Sequence, residues 1–205
     1  MKRTIDVVVG FILIILCLPI MVFAAILIKS KIGSPIFFKQ ERIGFREKKF
    51  TIYKFRTMTN AKDKAGSYLP DNERMTKFGT FLRKLSIDEM PQLWNVLKGD
   101  MSFVGPRPLL IKYLPYYTEN ERKRHSVRPG ITGLAQVSGR NNLNWDKRFQ
   151  LDVQYVMEKS IWLDLQIIGK TCLKVLKSEG VSEIPSETML DLDIERQLVK
   201  TAENK

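Results

Sequence analysis

Histidine and cysteine are nearly absent from this chain, and their scarcity narrows its chemistry first. One histidine, His125, and two cysteines, Cys17 and Cys172, occur in 205 residues. Zinc sites draw on several His and Cys ligands, so any metal here is a hard cation held by oxygen. Cys17 lies in an apolar run and Cys172 in an apolar helical pattern. Both read as buried thiols rather than as a bridge, which fits a reducing compartment. His125, within Arg122-Lys123-Arg124-His125, reads as a solvated member of a basic run. Neither the Walker A pattern nor the Gly-rich dinucleotide fingerprint occurs, so the logic of those two nucleotide folds does not apply. Internal repeats and low-complexity tracts are also lacking.

Acidic residues are outnumbered, 22 Asp and Glu against 34 Lys and Arg, for a formal charge of +12. That excess points to an anionic partner: nucleic acid, acidic lipid or a phosphorylated substrate. Composition does not choose among them. The length suits one domain with appendages and is enough to bury a core.

Only one apolar run is long. From Val7 to Ile28 it is roughly 33 Å as a helix and could cross a bilayer. Lys29, Ser30 and Lys31 follow it without a small-residue cleavage pattern, which argues against a signal peptide. Pro19 removes the hydrogen bond to the Ile15 carbonyl and predicts a kink. Lys2 and Arg3 precede the run and Lys29 and Lys31 follow it, so the positive-inside rule wants both ends in the cytoplasm. A re-entrant helix satisfies both observations, and a kinked bitopic span remains the alternative. Asp6 is expected to pair with Lys2, Arg3 or another basic residue near the membrane.

Two β-rich segments follow, Pro35 to Gly44 and Phe50 to Met58, a hairpin signal around a charged loop. Period two puts Phe50, Ile52, Lys54 and Arg56 on one face. Lys54 and Arg56 then either meet an anionic ligand or form a solvated pair. Asn60 to Asp71 reads as a mobile loop. Phe78, Phe81, Leu82 and Leu85 recur at helical spacing and bring Arg83 and Lys84 just upstream of an acidic pair.

That pair, Asp88-Glu89, precedes Met90-Pro91 and the apolar-periodic Leu93, Trp94, Val96 and Leu97. Proline is tolerated in a first helical turn, so both acids sit at a helix N-terminus. The dipole there predicts that both stay ionised at neutral pH, and the same end can receive phosphate. An ionised carboxylate beside a phosphate site is a candidate nucleophile or metal ligand; a helix cap is the plainer alternative. Arg83 is close enough in sequence to stabilise the Asp88 anion.

Further on, Pro106-Arg107-Pro108 presents Arg107 from a stiff backbone suited to bidentate phosphate binding, or to an ordinary surface turn. Arg128-Pro129-Gly130 through Gly133 to Gly139-Arg140 offers three glycines near two arginines, a candidate anion nest. Helices are expected over Trp145 to Lys159 and Ile161 to Lys177. In the second, Ile161, Leu165, Ile168, Cys172 and Val175 form one stripe, either on a membrane surface or in the core. Leu190, Ile194 and Leu198 hint at a short helix in a polar tail.

Taken together, Lys2-Arg3 with Asp6 and Pro19, Tyr53-Lys54-Phe55-Arg56-Thr57-Met58, Asp88-Glu89-Met90-Pro91-Gln92-Leu93-Trp94-Asn95, Gly99-Asp100-Met101-Ser102, Val104-Gly105-Pro106-Arg107-Pro108 and Arg128-Pro129-Gly130-Ile131-Thr132-Gly133 resemble the bacterial sugar transferases, the monotopic polyprenol-phosphate phosphoglycosyl transferases. The chain is similar to the small members, with no further transmembrane helix ahead of Lys2. The resemblance implies transfer of a phospho-sugar from a UDP-sugar to polyprenol phosphate, with undecaprenyl phosphate the expected acceptor, and release of UMP. It makes Asp88 the nucleophile and Glu89 a ligand of Mg²⁺. It makes Arg56, Arg83, Arg107, Arg128 and Gln136 the substrate-contact candidates and Pro19 the membrane kink. The Ser that breaks the family's re-entrant helix beside Pro is replaced here by Leu18.

The expected fold is α+β, mainly α. It comprises a re-entrant membrane helix over 1–31, a catalytic domain over 32–178 at the cytoplasmic face of the inner membrane, with a small β-hairpin and interfacial amphipathic helices, and a polar tail over 179–205. Two other functions compete. One is a membrane-bound glycosyltransferase releasing UDP. The other is a basic anchored module for nucleic acid or anionic lipid, disfavoured because no nucleic-acid motif is present, so no nucleic-acid partner is expected.

Overall fold

The computed structural model describes residues 1–139, 143–177 and 190–203. The chain is mainly helical, with two small sheets and one long apolar N-terminal helix. That helix, α1 (Lys2–Lys31), runs continuously through Pro19 and is long and apolar enough to cross a membrane. Its middle is bare: Phe11, Ile15, Leu16, Phe23 and Ile26 are all more than half exposed.

Both ends of α1 dock on the same domain. At the start, Arg3 donates to the carbonyls of Val96 and Leu97 at 2.5 and 2.8 Å. These belong to the last turn of α4 (Gln92–Lys98), where unpaired carbonyls attract a cation. Lys2 pairs with Asp164. Asp6, buried within an otherwise apolar helix, accepts from the Ser102 hydroxyl at 3.1 Å and the Phe103 N–H at 3.3 Å. Its partners are thus a hydroxyl and a backbone amide, not the basic residues expected from sequence. Gly10 lets the side chains of Val96 and Leu97 approach the helix. At the other end, Ala24, Ile28 and Ile32 pack with Phe55 and Leu82. Complete burial of a side chain such as Ile28 contributes roughly 1.5–3 kcal/mol.

Strands β1 (Phe37–Ile43) and β2 (Lys49–Phe55) form the expected antiparallel hairpin, from Phe37 opposite Phe55 to Ile43 opposite Lys49. The segment over 60–71, expected as a mobile loop, has a built turn: Asp63 accepts from Ala65 and Ser67 N–H groups, both at 2.9 Å, and Lys62 bridges to Tyr68. After it come α2 (Asp71–Arg74) and α3 (Lys77–Lys84).

A second sheet was not anticipated. Strands β3 (Ser102–Val104) and β4 (Gly130–Thr132) pair in parallel, Ser102 with Gly130 and Val104 with Thr132. Two of the three glycines read as an anion nest, Gly130 and Gly133, serve this pairing. A Cβ on Gly130 would lie 2.1 Å from the Gly105 nitrogen, and one on Gly133 would lie 2.2 Å from the Gly105 oxygen. A nest needs alternating right- and left-handed residues, whereas Gly133 is extended and neither Gly130, Gly133 nor Gly139 has positive φ. The nest expectation is therefore corrected, and Arg140 lies outside the described residues.

The remaining helices are α5 (Glu119–Arg122), α6 (Leu134–Ser138), α7 (Trp145–Glu158), α8 (Ile161–Leu176) and α9 (Leu192–Glu203). Trp145 and Phe149 of α7 join Ile43, Leu109, Tyr113, Tyr117 and Leu192 in one core cluster. The short helix hinted at by Leu190, Ile194 and Leu198 is α9, with Leu192 buried while those three face outward. Salt bridges from Lys112 to Asp191 and Asp193, and from Arg196 to Glu121 and Asp146, hold α9 down. Residues 178–189, where the catalytic domain was expected to give way to the tail, lie outside the described residues.

Two further single-residue expectations are overturned. His125 is buried against Tyr117, not solvated, because its neighbour Arg124 is drawn into the core by Asp152. Burial first, then the charge of Arg124, push its pKa down to about 3, so it is neutral. Cys172 is exposed, because the α8 stripe containing Ile161, Leu165, Ile168 and Cys172 faces out and only Ile167 is fully buried.

A packing role for Gly130 predicts that Gly130→Ala destabilises by about 1–3 kcal/mol or more, read as a lower denaturant midpoint. An unchanged midpoint with lost anion binding would restore the nest.

Candidate active site

The acidic pair sits on a short turn wedged between segments that the two ends of α1 hold in place. Thr76 caps α3 by accepting from the Gly79 N–H at 2.9 Å. Gly79 abuts Thr57 so closely that a Cβ would lie 1.9 Å from the Thr57 oxygen. Arg83, one turn on, donates to the Thr57 hydroxyl at 3.1 Å. Ser86 then reverses the chain with a left-handed φ of 55°, and a 3₁₀ turn over Ile87–Glu89 leads through Pro91 into α4. Ile87 packs against the Ala24, Ile28 and Phe55 cluster, while the far end of α4 holds Arg3. The turn that presents Asp88 therefore rests on both halves of the apolar helix.

Asp88 is buried and Glu89 partly so. Lys54 donates to Glu89 Oε1 at 2.5 Å, and Arg107 reaches the same oxygen at 3.3 Å. Burial by itself would raise the Glu89 pKa; Lys54 and then Arg107, by charge and hydrogen bond, hold it down at about 2. Asp88 goes the other way. Burial, then repulsion from Glu89, push it up to about 6 against the opposing pull of Lys54, Arg83 and Arg107. Both acids are therefore ionised at neutral pH, as the helix dipole led the sequence reading to expect, but burial and an adjacent charge outweigh a dipole effect worth ~0.3–1 kcal/mol at an exposed site and bring Asp88 much nearer to protonation. At neutral pH Asp88 is a carboxylate of raised basicity, and Glu89 a fixed anion.

The other candidates are distributed differently. Arg56 is buried, and its guanidinium donates to the carbonyls of Ser34 at 2.5 Å and Met58 at 2.7 Å, tying the exit of α1 to the end of β2. Arg128 donates to the Gly99 carbonyl at 2.8 Å and lies over the Phe45 ring. Gln136 donates to the Ile131 carbonyl at 3.1 Å, and its buried oxygen has no partner. Of the candidates, the structure brings Arg83 and Arg107 to the acidic pair. It adds Lys54, which the period-two face of β2 had offered together with Arg56. Beside the pair, a cleft with about 30 Å³ of free space is lined by Arg42, Ile52, Lys54, Gln92, Arg107 and Pro108.

Residues 1–178 match the family described as bacterial sugar transferase. The chain is 54% identical over 183 residues to the uncharacterized sugar transferase EpsL of Bacillus subtilis, covering 89% of this chain and 91% of that one. The chain belongs to the bacterial sugar transferase family. It is also 36% identical to undecaprenyl-phosphate galactose phosphotransferase of Salmonella typhimurium and 38% identical to UDP-glucose:undecaprenyl-phosphate glucose-1-phosphate transferase of Escherichia coli, over 88% and 85% of its own length. It spans 41% and 40% of those two longer proteins.

The Mg²⁺ that family resemblance implies can be tested against the donor set of this bacterial sugar transferase. Among the described residues no group of three or more His, Cys, Asp or Glu gathers. Mg²⁺ is commonly bound by one or two carboxylates, with substrate phosphates and water completing the shell. Glu89 fits that arrangement as a single carboxylate, since both cation contacts to it fall on Oε1 and leave its second oxygen for a ligand.

The charge balance generates two expectations. Because the folded-state pKa of Asp88 lies above its ordinary value, the folded protein holds that proton more tightly than the unfolded chain, and this site loses stability as pH rises through about 4 to 6. Asp88→Asn should consequently raise the melting temperature at pH 7; a lower one contradicts the burial account. In a pH series, turnover should fall below about pH 6 as Asp88 protonates. Lys54→Met removes a cation that holds that pKa down, so its acidic limb should move to higher pH.

Proposed function

We propose that this protein transfers a phospho-sugar from a UDP-sugar to a polyprenol phosphate, undecaprenyl phosphate by analogy with its named relatives, at the cytoplasmic face of the bacterial inner membrane. The observation that carries this reading is a carboxylate of raised basicity, Asp88, beside an anion paired with Lys54 and Arg107, on a turn packed against an apolar helix. The relatives' names supply the substrate classes.

In this mechanism an Asp88 oxygen attacks the sugar-bearing phosphorus. The bond from that phosphorus to the bridging oxygen breaks, and UMP leaves with the electron pair. A polyprenol phosphate oxygen then attacks the same phosphorus and frees the Asp88 carboxylate, giving polyprenol-diphosphate-sugar. Splitting one transfer into two suits a water-soluble donor and a lipid acceptor that need not be bound together. Arg107 and Lys54 neutralise charge on the phosphates, with Arg83 supporting from behind Asp88. Glu89 would hold Mg²⁺, which when bound neutralises diphosphate charge.

The membrane arrangement proposed is monotopic. Lys2, Arg3 and Asp6 engage the domain at one end of α1, and Ala24, Ile28 and Ile32 engage it at the other. Two ends bonded to one domain support a helix that enters and leaves the bilayer on one face, with Pro19 at its middle. The outward apolar face of α8, with Trp162, Leu165 and Leu173, supports an interfacial position.

Protein mixed with UDP-sugar alone should release up to one equivalent of UMP and add a phospho-sugar mass to the peptide containing Asp88. Asp88→Asn should remove turnover by several powers of ten. UMP appearing only after acceptor is added, with no adduct trapped, would favour direct displacement; UDP as the product would favour a glycosyltransferase. Cysteine labelling should find residue 1 and the segment after Lys31 on the cytoplasmic side; a periplasmic N-terminus would mean a bitopic span.

A further inference from the structure

Arg107 reaches the acidic pair from a segment that has few ways to be held. In Pro106-Arg107-Pro108 only Arg107 has a backbone N–H, since proline lacks one, so anchoring falls on the three carbonyls. The Gly130 N–H donates to Pro106 O at 3.0 Å, Arg124 to Arg107 O at 2.7 Å, and Arg42 to Pro108 O at 3.5 Å. The middle anchor is itself clamped. Nε and a terminal nitrogen of Arg124 donate to one oxygen of Asp152 at 3.0 and 2.7 Å, and both side chains are 1% exposed. The rings of Tyr117 and Phe149 flank the guanidinium.

Stability is a weak account of this pair. Buried ion pairs are often matched or bettered by apolar side chains of the same volume, and Oδ1 of Asp152 is buried with no hydrogen-bond partner. Geometry offers a better one. Arg124 lies in the 3₁₀ segment Lys123–Ser126 and Asp152 in α7, so the pair carries the position of the helical core to the backbone of Arg107, the arginine that pairs with Glu89.

We propose that Arg124, held by Asp152, is a positioning residue: through the Arg107 carbonyl it sets the Arg107 guanidinium against Glu89 and the diphosphate of the sugar nucleotide. This rests on the phosphoglycosyl-transfer reading above. A forked guanidinium serves Asp152 and a carbonyl together, which an ammonium on a flexible stem does poorly.

The test is a double-mutant cycle on the full chain in detergent, following UMP release from UDP-sugar and polyprenol phosphate. Arg124→Met with Asp152→Leu fills the same space without an orphan charge, and Arg124→Lys is a milder second variant. Each is made with Arg107 present and with Arg107→Ala. With Arg107 present, KM for the UDP-sugar should rise about tenfold or more while KM for the lipid changes less than about twofold; with Arg107→Ala the further change should be below about twofold, because the two residues act as a unit. Equal losses in both backgrounds would make the pair merely structural and overturn the proposal, as would an unchanged KM with Arg107 present. A wild type that turns over with UDP rather than UMP as product would instead refute the transfer reading on which the proposal rests.

Discussion

Two carboxylates on adjacent residues of a half-enclosed turn repel each other and lose hydration, so the surrounding chain must supply compensating positive charge. Lys54 arrives from the hairpin, Arg83 from α3 and Arg107 from the Pro-Arg-Pro segment. None is adjacent in sequence to the pair, so the balance exists only once the hairpin, the helix and the loop are packed together. The compensation is uneven. Lys54 and Arg107 both bond Glu89, while Arg83 is turned toward Thr57 and acts on Asp88 through space. One acid is fixed as an anion and the other left basic, which is the division of labour a nucleophile beside a charged ligand requires.

The same turn ties the site to the apolar helix. Ile87 belongs to the cluster of Ala24, Ile28 and Phe55, and α4 takes Arg3 at its carbonyl end. Displacing either end of α1 would thus disturb the orientation of Asp88. Polar contacts hold one end and apolar packing the other; Asp6, a carboxylate inside an apolar stretch, is stabilised because Ser102 and Phe103 provide donors where the helix meets β3.

Much of this was legible from residues alone. Alternation gave away the hairpin from Phe37 to Phe55, and helical spacing gave α7 and α8 nearly to the residue, because local periodicity reports which face an element buries. The pairing of β3 with β4 escaped notice: two three-residue strands leave no periodic pattern, and their glycines looked like a loop motif until Gly105 was seen packed against Gly130 and Gly133. His125 misled for a related reason. A basic run looks solvated by composition, yet Arg124 within it finds Asp152 from α7 and takes its neighbour into the core.

The sequence by itself determined the chemistry available: a charge excess suited to anions, an acidic pair ahead of a helix, stiffly mounted arginine, one apolar run, and motifs distinctive enough to name a family. Tertiary structure alone decided which charges meet. Lys54 on β2 and Arg56 just past its end stand two residues apart, yet one reaches Glu89 and the other is spent on the carbonyls of Ser34 and Met58. Likewise Asp88 and Glu89 share a turn but differ in basicity, because electrostatic energy depends on burial and on distances between charges brought together from remote parts of the chain.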